Sequence, residues 1–170
     1  MFLTYPNKKS KDDILEDTLI ADIDISPESK TRNKLIHGSN LPVLKRLLDE
    51  YQGKIGLVYI DPPFATNSNF RVGIGRTNTI SSSNNDELAY SDTLIGADFL
   101  EFLRERLIFI RELMSEKASI YLHIDYKIGH YVKLIMDEVF GKENFRNDIT
   151  RIKCNPKNFE RKAFGNIKDV

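Results

Sequence analysis

The six residues Ile55-Gly56-Leu57-Val58-Tyr59-Ile60 are apolar almost without alternation, and they run straight into Asp61-Pro62-Pro63-Phe64. This junction constrains the fold more than any other part of the chain. A short unbroken apolar run is expected of a strand covered on both faces inside a parallel sheet. Two consecutive prolines cannot continue a central strand, because each lacks the N–H a ladder needs, so the strand must stop at Asp61. A parallel neighbour can be reached only through a crossover, which commits the chain to helices between its strands.

The flanking segments carry those helices. Leu41, Val43, Leu44, Leu47 and Leu48 recur at helical spacing, which predicts a helix from a cap at Ser39 or Asn40 to about Tyr51, ended by Gly53. Phe99, Leu103, Leu107, Ile110 and Met114 form a stripe on a second helix, with Asp98 and Glu101 in capping-box spacing. A strand is predicted over Ser119 to Ile124. Next comes a helix carrying Tyr131, Leu134, Ile135 and Val139, closed by Gly141, with a last strand near Asp148 to Lys153. Lys34 to Ser39 reads as a short strand entering a tight turn. The alternation predicts an α/β fold, an incomplete Rossmann-like layer with a mainly parallel sheet flanked by helices.

Two stretches resist this pattern. Residues 1–32 read as an N-terminal leader, either a solvated arm or a peripheral helix. Seven acidic residues and no Lys or Arg lie between Asp12 and Glu28. The Ser-, Asn-, Thr- and Gly-rich stretch from Ala65 to Ala97 shows no convincing periodicity. Loops of that length in a compact domain are usually functional or disordered.

Bulk properties exclude some functions and select none. The 170 residues suffice for one core, and Lys plus Arg balances Asp plus Glu at 25 each, so no global field announces a nucleic-acid or membrane partner. The single cysteine, Cys154, cannot form an internal disulfide, which fits a reducing cytoplasm. No apolar run approaches the length of a membrane span, and the N-terminus lacks the apolar core of a signal peptide.

Chemistry is concentrated at the strand end, where open α/β sheets bind their ligands. Asp61 supplies an acceptor carboxylate. Each residue before a proline is driven extended, which stiffens the turn and lets a carbonyl point outward. Phe64 offers a flat apolar face. Two oxygen acceptors and an aromatic plate suit a planar ring bearing an exocyclic amino group. Such an amine is a poor nucleophile while its lone pair is delocalised. Hydrogen bonds that draw the nitrogen towards tetrahedral geometry localise the pair and stabilise the charge developing on it.

The segment NKLIHGSNLPVLKRLLDEYQGKIGLVYIDPPF, Asn33 to Phe64, resembles the opening of permuted bacterial DNA methyltransferases of the N6-adenine/N4-cytosine family. These enzymes act in type II and type III restriction-modification systems. The likeness continues through DFLEFLRERLIFIRELMSEKASIYLHID and GHYVKLIMDEVFGKENFRNDI to KCNPKN, in matching order over about four-fifths of the chain. It implies that residues 33–170 are the catalytic-motif part of a methylase domain. Asp61, Pro62, Pro63 and Phe64 would then form the target-amine site, with adenine the base favoured by the leading Asp and N4 of cytosine the alternative. It further implies S-adenosylmethionine as methyl donor, near Asp61, Gly38 and Ser39. At the last of these the family usually has Asp. The partner would be double-stranded DNA, its target base flipped out of the stack. The family's Phe-x-Gly-x-Gly turn, which cradles the donor, is not present, and Gly73-Ile74-Gly75 is preceded by Val72. The donor site is therefore expected to be incomplete and the isolated chain inactive. A complementing C-terminal half or a restriction subunit is the expected partner.

Other residues carry weaker expectations. Asn67, Phe70 and Arg71 could grip DNA, since an aromatic beside Arg can stack and hold phosphate. His123, Asp125 and His130 make no metal set by spacing, and His123 is expected in structural hydrogen bonding. Tyr131 is expected in the core. The Lys/Arg excess between Lys142 and Lys168 is either a DNA-facing strip or a solvated surface. Three further functions stay open: a non-catalytic DNA-binding remnant, a partner-binding subunit, or methylation of RNA or protein amides at a related Pro-Pro motif.

Overall fold

The computed structural model describes the backbone of residues 3–23, 33–62, 68–72, 80–81, 87–92, 96–152 and 168–169, with side chains for 3–23, 33–62 and 96–150. In chain order the elements are α1 (Lys11–Asp17), α2 (Asn40–Tyr51), β1 (Ile55–Ile60), β2 (Ser68–Val72), β3 (Ile80–Ser81), β4 (Glu87–Asp92), α3 (Gly96–Leu113), β5 (Met114–Leu122), α4 (Gly129–Phe140), a 3-10 turn (Lys142–Asn144), β6 (Arg151–Ile152) and β7 (Lys168–Asp169).

Strands β1 and β5 lie parallel, with Leu57 to Ile60 opposite Ser119 to Leu122 in continuous register. Ahead of that run Ile55 pairs with Met114 across a register shift, so the regular strand begins at Ser119 as its apolar residues predict. The same end is tied further by backbone: Gly53 N donates to Glu112 O and Lys54 N to Leu113 O, both at 3.0 Å. These bonds lock the exit of α2 to the end of α3.

Helix α3 is the centre of the molecule, and it packs against α2 and α4. Phe99, Leu100, Leu103 and Leu107 join Ile124, Val132 and Ile135 in one buried cluster, which Ile60, Ile120 and Leu122 cover from the sheet. Ile108 and Phe109, on another side of α3, join Ile14 in a second cluster against Leu41, Leu44 and Leu48. A single predicted stripe thus understates α3, which is apolar on most of its circumference because neighbours contact it from several sides.

The N-terminal stretch packs on this helix. Ser10 caps α1 with a reciprocal capping box to Asp13, and Ile14 is 2% exposed against α3. Removing the cap by Ser10→Ala should cost about 1 kcal/mol, read as a lower urea midpoint for the arm by tryptic cleavage.

Four expectations change in three dimensions. Residues 33–37 form no strand, and Leu35 is 99% exposed. The stretch that shows no periodicity contributes a three-stranded antiparallel sheet in the order β3-β2-β4. Its strands are short and polar, so pairing rather than local pattern defines them. Tyr131 is exposed, because Val132 and Ile135 take the core positions of α4. Finally, β1 is covered on one face only: Leu57 and Tyr59, with Tyr121 opposite Tyr59, lie exposed on the other.

No helix among the described residues is long and apolar enough to cross a membrane.

Candidate active site at the ends of the parallel strands

Both strands of the parallel pair end at the same level. The pairing continues one step beyond the ladder, where His123 N donates to Ile60 O at 2.9 Å. That bond places the next side chains, Asp61 and His123, side by side. His123 Nδ1 lies 3.1 Å from Asp61 Oδ1. A carboxylate only accepts, so a hydrogen bond across this contact requires the proton on Nδ1. The Asp61 side chain is 57% exposed and that of His123 25%. The carboxylate therefore stands at the mouth of the strands, open to an incoming group, with an imidazole against one edge. Pro62, the next residue, is partly buried.

The neighbouring turn is built by Asp125. Its carboxylate Oδ1 accepts from Lys127 N at 2.8 Å, and its carbonyl accepts from Ile128 N and Gly129 N at the start of α4. Asp125 is occupied in shaping the path from β5 to α4. Among the described residues no group of three or more His, Cys, Asp or Glu side chains is arranged to hold a metal ion.

The Gly38-Ser39 turn is exposed and leads directly into α2. Ser39 sits at the cap position, and its carbonyl takes Val43 N at 3.4 Å, while its side chain makes no cap hydrogen bond. Next to it, Asn40 Oδ1 accepts from Arg106 Nε at 2.8 Å. Arg106 also lies 3.4 Å above the Phe102 ring, and its burial lowers the guanidinium pKa to about 10. The ring contact within α3 supports the guanidinium, and its bond to Asn40 ties the head of α2 to α3.

Pro63, Phe64 and Asn67 lie outside the described residues. Phe70 and Arg71 are on β2, opposite Tyr90 and Leu88 of β4, with a register irregularity between them. A cavity of about 210 Å³ is lined by Lys11, Arg104, Ile108, Arg111, Glu138 and Val139, on the helical side of the molecule. Neither Asp61 nor His123 lines it.

This strand-end architecture coincides with a sequence match. Residues 55–170 match the model of the N6/N4 DNA methylase family. The chain belongs to that family. Among curated methylases it is 39% identical over 173 aligned residues to the type II methyltransferase M.EcaI of Enterobacter cloacae, covering 98% of this chain and 36% of that protein. It is 32% identical to the Mod subunit of the type III restriction-modification enzyme EcoP15I of Escherichia coli, covering 72% of this chain and 22% of the relative. The type II methyltransferase M.KpnI of Klebsiella pneumoniae is 29% identical over 79% of the chain and 30% of its own length. The chain thus spans about a third, or less, of these methylases.

The missed element is His123. Spacing in the sequence joins it to Asp125 and His130, whereas the parallel register joins it to Asp61, which lies far away along the chain. The available signal was the register itself: the regular strands end at Ile60 and Leu122, and the next residue on each is Asp or His.

Proposed function

We propose that this chain carries the amine-activating half of a DNA methyltransferase active site, acting on N6 of adenine in the cytoplasm of a bacterium with a restriction-modification system. The observation that carries the reading is Asp61, an exposed carboxylate fixed by proline and by parallel pairing at the strand ends. Burial would have tied it up; exposure leaves it available to a substrate amine.

In this reading Asp61 accepts a hydrogen bond from the exocyclic amino group of a base flipped from double-stranded DNA. A backbone carbonyl of the Asp61–Pro63 segment would accept the second N–H, and Phe64 would stack on the ring. Drawing both hydrogens towards acceptors pulls the lone pair out of conjugation. As positive charge builds on the nitrogen, the carboxylate stabilises it and is placed to take the departing proton. Asn67, Phe70 and Arg71 would hold the DNA strand nearby.

S-adenosylmethionine, when bound, supplies the electrophilic methyl. The residues present fit that donor at two points, the exposed carboxylate of Asp61 and the exposed Gly38-Ser39 turn held by Asn40 and Arg106. Among the described residues these two points build no enclosing wall, and the glycine-rich turn of the family is not in this sequence.

The open face of Leu57, Tyr59 and Tyr121 fits the same picture. The relatives extend well beyond the matched region, and we assign this face to the segment that completes the methylase domain. Mixing the chain with the remaining segment of the M.EcaI-type relative should restore methylation of duplex DNA. Tyr59→Asp should weaken that association by at least about tenfold, because a carboxylate would be buried without a partner. Incorporation of labelled methyl into DNA measures the first, and titration of one segment with the other measures the second. No methyl incorporation from any such assembly would count against the enzymatic reading and favour a non-catalytic DNA- or partner-binding role.

A further inference from the structure

We propose that His123 is a positioning residue for Asp61, holding the carboxylate so that one oxygen is engaged and the other is aimed at the substrate amine. The inference rests on the catalytic reading of Asp61 and adds a residue from a second strand to it. Its basis is geometric. The backbone bond from His123 N to Ile60 O, at 2.9 Å, extends the parallel register past the end of both strands. The contact from Nδ1 to Oδ1, at 3.1 Å, is therefore set by sheet pairing and not by a chance meeting of mobile side chains.

The consequence for chemistry follows from the carboxylate's exposure. A half-exposed Asp rotates about two side-chain bonds and samples orientations in which neither oxygen faces the substrate. One hydrogen bond from an imidazole that is itself three-quarters buried removes most of that freedom. Oδ1 is held by Nδ1–H, and Oδ2 is left for the amine. The effect belongs in the rate of the chemical step, since it adjusts alignment and leaves the DNA-contacting surface untouched.

The nitrogen involved is Nδ1, and this makes the proposal sharply testable. Asn places its amide N–H near the position of Nδ1, whereas Gln extends its amide towards the position of Nε2. In the active enzyme, with the methylase domain complete, His123→Leu should lower kcat about tenfold, the scale of losing one hydrogen bond to a charged group. The KM for DNA should stay within about twofold. His123→Asn should recover most of the lost rate and His123→Gln should not. A residue that merely supported the fold would show no such preference between the two amides.

Asp61→Ala is measured in parallel. If it retains activity, the catalytic reading fails and this proposal with it. If Asp61→Ala is inactive while His123→Leu keeps its kcat, the positioning role alone is overturned. A measurement independent of activity covers the case of a poorly folding variant. Ring nitrogen shifts of His123 in the 15N-labelled chain should show the Nδ1–H tautomer in the wild type, and loss of its preference in Asp61→Ala. An Nε2–H tautomer in the wild type would overturn the proposal.

Discussion

Asp61→Ala should lower the rate of methyl transfer about 10²- to 10³-fold in the completed enzyme, the range seen when one preorganised group facing developing charge is removed. Affinity for DNA should change little, because phosphate contacts dominate it and Asp61 makes none in the proposed geometry. Stability should be nearly unchanged as well. The side chain is 57% exposed, and its bond to His123 lies at the surface, where such a pair is worth little. The separation is the informative part, because a large loss of rate with an unaltered urea midpoint marks a residue kept for chemistry. Asp61→Asn retains one acceptor oxygen and loses the negative charge, so it should fall between Ala and wild type. Single-turnover transfer with saturating DNA and donor distinguishes these outcomes. Equal loss of rate and fold in Asp61→Ala would show that the strand end depends on this carboxylate structurally.

The largest effect on folding should come from Arg104→Met. Arg104 is 5% exposed and is the one buried charged residue among those described. Its Nε donates to Glu138 Oε1 at 2.8 Å, and its Nη1 donates to Lys9 O at 3.1 Å and lies 3.3 Å from Glu101 Oε1. Lys8 Nζ closes the group with a 2.6 Å contact to Glu138 Oε2. Helices α3 and α4 and the N-terminal arm thus meet on one guanidinium. Removing it takes the guanidinium away from two largely buried carboxylates, each at 12% side-chain exposure, and leaves Glu101 with the Tyr5 hydroxyl and Lys9 N and Glu138 with Lys8. Breaking a buried pair from one side costs about 3–5 kcal/mol, and Lys8, which still faces Glu138, places the expected loss near about 3 kcal/mol. The measurement is the midpoint of urea unfolding.

The same group sets a pH dependence. Burial opposes ionisation of Glu138, but the hydrogen bonds from Lys8 and Arg104 outweigh it and hold its carboxyl below the ordinary carboxylate range. A carboxyl whose pKa is lowered on folding stabilises the native state fully above its unfolded pKa. That contribution is lost as the pH falls through the lowered native value. Stability should therefore decline on acidification below the ordinary carboxylate range, and Glu138→Gln should flatten this decline. An acid profile unchanged in Glu138→Gln would assign the decline to other carboxylates.

Much of the architecture was legible in the residues because it rests on local periodicity. The apolar run of β1 and its stop at Pro62, the span of α2, the buried stripe of α3 and the closure of α4 at Gly141 are patterns of three to four residues or of strict continuity. Gly141, at φ 86°, lies in the left-handed region favoured by glycine, and its amide bonds Asp137 O. The polar strands β2 to β4 carry no such pattern, since their definition comes from pairing with one another. Tyr131 and Val132 are adjacent, and a periodic reading assigns either one to the core; packing against α3 and the sheet selects Val132.

The sequence by itself determined that a strand must end at Asp61 and that this end presents a carboxylate beside stiffened backbone. Proline's missing N–H and the extended conformation it imposes on the preceding residue act through covalent structure, without help from distant residues. Only the tertiary structure decided which side chain would stand against that carboxylate. His123 reaches Asp61 because two strands, separated in sequence by α3 and by the β2 to β4 sheet, adopt one parallel register and end together. Register is a property of packed faces, where a one-residue slip would turn every side chain over, and spacing along the chain does not encode it.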